Sequence, residues 1–152
     1  MRFRETDRIV RATQSVWPLS VSTDRISLPA MRVMSLLKKY GVTDRSGDGK
    51  FFEVYPAASL RAWKMAGRGY KEAKKPECIA MRRQILDALR IAMPWLTVPD
   101  DCAKESDALD SLVASLTARN ASQRRTLLPN LSQIDAANVE GWIHLPDGIP
   151  ES

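Results

Sequence analysis

Apolar positions recur along this chain mainly with helical spacing, and they predict three amphipathic helices. Val33, Leu36, Leu37 and Tyr40 follow the i, i+3, i+4, i+7 pattern. Ser27 and Leu28-Pro29 open that helix, since proline suits a first turn, and Gly41 is a natural stop. From Pro76 to about Met93, the side chains of Cys78, Met81, Ile85, Leu89 and Ala92 share one stripe, which Pro94, Pro99 and Asp100-Asp101 then break. The third helix starts near Ser106 and runs to about Ser122, with Leu109, Leu112, Val113 and Leu116 as its apolar stripe. Residues 4–14 predict a shorter, basic helix ended before Trp17-Pro18.

Strand signals are few. Phe51-Phe52-Glu53-Val54-Tyr55 is β-branched and aromatic and predicts a buried strand, preceded by the turn cluster Asp44-Arg45-Ser46-Gly47-Asp48-Gly49. Pro56 closes it and opens a helix through Trp63. Gly67-Arg68-Gly69-Tyr70-Lys71 predicts a flexible basic loop, Pro18 to Thr23 an extended connector, and residues 123–140 mostly loop. Gly141 to Pro146 predicts a short terminal strand followed by a polar tail. The class is α/β and helix-rich, with too few strands for a self-standing sheet.

Composition narrows the class. A chain of 152 residues, 44% hydrophobic and 27% charged, has the size and balance of one globular domain. No run of about 18 apolar residues spans a membrane, and the charged start, Met1 to Arg8, is unlike a signal peptide. Cys78 and Cys102 lie outside any CxxC pattern, which excludes a disulfide scaffold and a cysteine-rich zinc site and points to the reducing cytoplasm. His144 is the single histidine, which excludes a multi-histidine metal site. Charge is uneven: residues 1–75 hold 16 Lys/Arg against 7 Asp/Glu, and residues 76–152 hold 7 against 11. A basic half favours polyanions such as nucleic acid, and an acidic cluster favours divalent cations. Solvated surface charge is the ordinary alternative.

The candidate chemistry lies mainly on the third helix. At 100° per residue, Asp107 and Asp110 fall about 60° apart, beside the small residues Ser111, Ala114 and Ala118. Two such carboxylates can present oxygens to one hard cation, Mg²⁺ or Mn²⁺. The competing reading is a helix start, with Ser106 as N-cap and acidic residues favoured by the macrodipole. Glu53 is costly within an apolar strand unless solvated, paired or bound to a cation. Asp7 has Arg4 and Arg11 at ion-pair spacing. Arg68 and Lys71, with Lys74 and Lys75 following, combine charge and an aromatic, which suits phosphate contact and base stacking as well as an exposed loop. Trp17, Trp63, Trp95 and Trp142 are scattered and read as core fillers, and His144 as structural.

Seven motifs then fall in one order: Arg4-x-Thr6-Asp7-Arg8; Pro18-Leu19-Ser20-Val21-Ser22-Thr23-Asp24-Arg25-Ile26; Asp44-Arg45-Ser46-Gly47; Glu53-Val54-Tyr55-Pro56-Ala57-Ala58; Gly69-Tyr70-Lys71; Ser106-Asp107-x-x-Asp110; and Glu140-Gly141-Trp142-Ile143-x-Leu145-Pro146. Across nearly its whole length the chain resembles the bacterial and archaeal DUF429 family of predicted RNase H-like nucleases. That resemblance implies an RNase H-like fold and two-metal phosphodiester hydrolysis. It implies catalytic roles for Asp110, Asp107 and Glu53, with Asp107 and Asp110 as metal ligands similar to the final acidic pair of Holliday-junction resolvases. Asp7 matches the family's R-x-T-D motif.

The chain departs from the family pattern at its start. Family members carry leading strands and an early aspartate before R-x-T-D, whereas this sequence opens on that motif. The family also shows two adjacent acidic residues before its final aspartate, where Ser106-Asp107 supplies one. The expectation is a single incomplete RNase H-like domain over residues 1–152, the helix-rich C-terminal part of the fold without its N-terminal strands. The functions to weigh are a metal-dependent nuclease, a non-catalytic remnant that binds nucleic acid, and an interaction domain whose apolar face is covered by a second copy or another protein.

Overall fold

A computed structural model describes residues 3–18, 27–47, 50–72 and 74–152. In chain order these form α1 (Glu5–Gln14), α2 (Ser27–Lys39), β1 (Glu53–Val54), α3 (Pro56–Ala62), α4 (Pro76–Ala92), α5 (Asp101–Lys104), α6 (Ser106–Ser122), α7 (Ile134–Glu140) and β2 (Ile143–His144). The fold is helix-rich, and β1 and β2 make one two-stranded sheet. The chain divides into two compact units, Met1–Glu53 with Pro129–Ile143, and Val54–Leu128 with His144–Ser152.

In the first unit α1 packs on α7. The Asp7 carboxylate reaches back to accept the Arg4 backbone N–H at 3.0 Å, which satisfies a donor left open at the helix start. Val10, Ala137, Trp142 and Ile143 are buried, and the Ile143 N–H donates to Thr6 Oγ1 at 2.8 Å. The second unit holds a core built from Leu60, Trp63, Ile85, Leu86, Leu89, Met93, Leu109 and Val113, contributed by α3, α4 and α6 with flanking residues. Helix α6 packs on α3 and α5, and α5 on α4. Thr117 Oγ1 donates to the Val113 carbonyl and bonds Ser59 Oγ at 2.9 Å, so a polar pair joins α6 to α3 inside the core. The C-terminal tail is strapped down, with Trp63 Nε1 and Asn120 Nδ2 both donating to the Gly148 carbonyl.

The long predicted helices α4 and α6 form within a residue of their expected bounds. Other elements differ. The expected five-residue strand reduces to Glu53–Val54, half-buried, with Phe51 exposed. Tyr55 serves instead as the extended residue before α3, whose first residue is Pro56. Residues 134–140 are helical where loop was expected, because Ala137 packs inward and α7 lies on α1. Ser106 does not cap α6. The short helix α5 ends at Lys104, only extended Glu105 separates the two helices, and Ser106 is the first helical residue. Trp63 and Trp142 are core residues, but Trp17 and Trp95 are exposed, against Phe3 and Arg119 respectively. Of the predicted stripe, Val33, Leu36 and Tyr40 are exposed and Leu37 is half-buried. Within the turn cluster, Asp44 Oδ1 accepts from both the backbone and the hydroxyl of Ser46, while Asp48 and Gly49 lie outside the described residues, as does the connector from Leu19.

Candidate functional site

The candidate residues fall in both units. In the first, the Arg4 guanidinium grips Glu53 with two bonds, Nη2 to Oε1 at 2.7 Å and Nη1 to Oε2 at 2.9 Å. The same group donates to Asp7 Oδ1 at 3.0 Å and to the Glu140 carbonyl at 3.2 Å. Hydrogen bonds and charge from Glu53 and Asp7 outweigh the desolvation that would lower the pKa of Arg4, and hold it above its ordinary value. Glu53 is therefore ion-paired, which answers the cost of placing it in an apolar run. Gly141 completes this cluster. Its φ is +88°, and a Cβ there would lie 2.7 Å from Glu53 Oε2. Arg45 holds the neighbouring main chain by donating to the Val139 carbonyl at 2.8 Å. An open groove of about 440 Å³ lies on the same unit, lined by Phe3, Glu5, Arg8, Ser132, Gln133, Ala136 and Glu140. Its charges are mixed and set no preference for either sign.

The second unit carries Asp107, Asp110 and the basic loop. The loop leaves α3 in close contact: a Cβ on Gly67 would meet the Ala57 carbonyl at 2.4 Å and Arg61 Cγ at 2.7 Å. Arg68, Lys71, Lys74 and Lys75 are all exposed, whereas Tyr70 is fully buried between them. The Tyr70 hydroxyl donates to Asp110 Oδ1 at 2.8 Å, and the Lys71 ammonium pairs with Asp110 Oδ2. Burial, and next the adjacent Asp110 charge, push the Tyr70 phenol well above its ordinary pKa. Burial also raises Tyr55, which feels Arg61 and Arg68 in the opposite sense. Lys75 pairs with Glu72. Among the described residues neither Arg68 nor Lys74 is in an ion pair.

The loop has a further anchor that the periodicity hides. Arg82 is completely buried on α4 and donates to the carbonyls of Tyr70 at 2.5 Å, Glu72 at 3.4 Å, Ala103 at 3.0 Å and Lys104 at 2.9 Å. It thereby closes the C-terminus of α5 and holds the main chain on both sides of Lys71. The basic loop is thus bonded to Arg82 at Tyr70 and Glu72. Position 82 lies four residues after Cys78 and three before Ile85, so a charged residue on the apolar stripe was the available signal.

Asp107 and Asp110 are the candidate metal ligands of the second unit, and Glu53 belongs to the first. Both Asp110 oxygens are engaged, one of them by a cation, Asp107 is exposed, and Glu53 is held by Arg4. Among the described residues no three His, Cys, Asp or Glu side chains gather as a metal site. His144 is buried and bonds Thr126 Oγ1 through Nδ1 at 2.9 Å. Among the described residues no helix is long and apolar enough to cross a membrane.

A family model described as a protein of unknown function, DUF429, matches residues 1–133. No curated protein and no solved structure matches the chain.

Proposed function

The chain belongs to the DUF429 family, and on that premise we propose that it binds nucleic acid through the basic loop between α3 and α4. The observation that carries this reading is the set of four exposed cations, Arg68, Lys71, Lys74 and Lys75, on a loop whose main chain Arg82 holds at Tyr70 and Glu72. Ordered cations can contact successive phosphates, and counterion release then supplies the affinity. The reading includes an RNase H-like fold and a cytoplasmic setting, the latter supported by two buried free thiols, Cys78 and Cys102. It assigns the loop cations to phosphate contact, with Asp110 paired to Lys71 and held by Tyr70.

The test is fluorescence anisotropy with labelled single-stranded and duplex DNA and RNA across a salt series. Wild type should bind with a steep salt dependence. Arg68→Ala with Lys74→Ala should reduce the slope of log K against log salt by about 1.5 to 2, near one for each phosphate no longer neutralised. Salt-insensitive binding, or none at low salt, removes the reading. Mg²⁺- or Mn²⁺-dependent cleavage of the same oligonucleotides, lost in Asp110→Asn, would establish the nuclease reading instead.

A further inference from the structure

Asp110 and Lys71 together point to how such a loop is regulated. Arg82 fixes the carbonyls of Tyr70 and Glu72, so the main chain carrying Lys71 is held on either side. The Lys71 side chain, 54% exposed, is turned to Asp110 Oδ2, while the buried Tyr70 hydroxyl holds Oδ1. The carboxylate thus sits where a phosphate oxygen would meet that ammonium. It also places a negative charge beside the surface that the other loop cations form.

We propose that Asp110 is an internal competitor of phosphate for Lys71, so that a polyanion must displace the Lys71–Asp110 pair to use this lysine. The proposal rests on the nucleic-acid reading of the loop for its ligand, while the pair itself stands on the geometry. A half-exposed ion pair is weak enough to exchange, since such pairs contribute at most about 1 kcal/mol, a factor of about five in an equilibrium. Tyr70 keeps Asp110 in place when the lysine leaves, which makes the exchange reversible without rebuilding the loop.

Removing the charge on residue 110 tests the competition directly. Asp110→Asn, which still accepts from Tyr70, should bind a fluorescent oligonucleotide about two- to fivefold more tightly at about 50 mM salt, with a salt slope steeper by about 0.9. That gain should vanish in the Lys71→Ala background. Asp110→Ser, which also removes the charge, should shift binding in the same direction. Binding unchanged or weakened in both variants, with melting curves matching wild type, overturns the proposal. A second readout needs no nucleic acid: the acylation rate of the Lys71 amine relative to that of Lys74, followed by peptide mass spectrometry. It should rise in Asp110→Asn, and equal ratios in the two proteins overturn the proposal. A raised ratio without oligonucleotide binding in either protein supports the withheld lysine and sinks the nucleic-acid reading of the loop instead.

Discussion

The buried guanidinium of Arg82 meets the main-chain carbonyl of Tyr70 at 2.5 Å. A fully buried arginine that spends its donors on carbonyls from two separate segments is a structural clamp. Arg82→Met removes the donors from the buried Tyr70 carbonyl and from the part-buried carbonyls of Glu72, Ala103 and Lys104. Each unsatisfied group costs about 1–3 kcal/mol, so a loss of about 3 kcal/mol or more is expected. Urea denaturation measures it, and a loss below about 1 kcal/mol would show that water satisfies these carbonyls.

Gly141→Ala should destabilise by about 1–3 kcal/mol, because the residue combines a left-handed φ with a Cβ position 2.7 Å from Glu53 Oε2. The same substitution should weaken the Arg4–Glu53 pair. A double-mutant cycle with Glu53→Gln reports this as a smaller cost of Gly141→Ala once the carboxylate charge is gone.

Stability should fall as pH rises above about 10, the ordinary value for tyrosine. The sign follows from linkage. Tyr70 is held protonated in the folded chain and ionises first in the unfolded one, so its contribution is complete below the unfolded pKa and is lost above it. Chemical denaturation at pH 9, 10 and 11 should show this decline, and Tyr70→Phe should flatten it. An unchanged slope in Tyr70→Phe would assign the decline to other groups.

Cys78 and Cys102 are buried, and burial pushes the Cys102 thiol up. Both should react slowly with a thiol-specific disulfide reagent in the native protein and promptly in denaturant. Rapid native labelling of Cys102 would show that the turn around α5 opens readily.

Substitutions on α2 should be nearly neutral despite its apolar composition. Met31 and Leu36 are 67% and 51% exposed, so Met31→Gln and Leu36→Gln should each change stability by no more than about 0.5 kcal/mol. A larger loss in thermal unfolding would reveal that this helix is covered in solution.

Elements with both a sustained stripe and an end signal were legible in the sequence. Helices α4 and α6 have Pro76 and a polar start respectively, and Ile85, Leu89, Leu109 and Val113 fill the core as the spacing requires. Elements that depend on a neighbour were not. Helix α7 buries little beyond Ala137 and forms against α1. The run from Phe51 to Tyr55 has strand-like residues, but only two of them pair. The candidate residues were legible as chemical types, whereas their partners were not. Asp7 beside Arg4 follows from spacing, but Arg4 with Glu53 joins residues 49 apart, and Asp110 with Tyr70 joins residues 40 apart.

Helical class, the bounds of α4 and α6, the family and the uneven charge are all legible along the chain. Each of these is local or additive along the chain. The partners of the charged groups come from the folded arrangement. It commits Glu53 to Arg4, commits Asp110 to Tyr70 and Lys71, and buries Arg82 as a clamp on the loop. A carboxylate serves as metal ligand or counter-ion according to what stands within about 4 Å of it, and that distance is set by folding rather than by spacing.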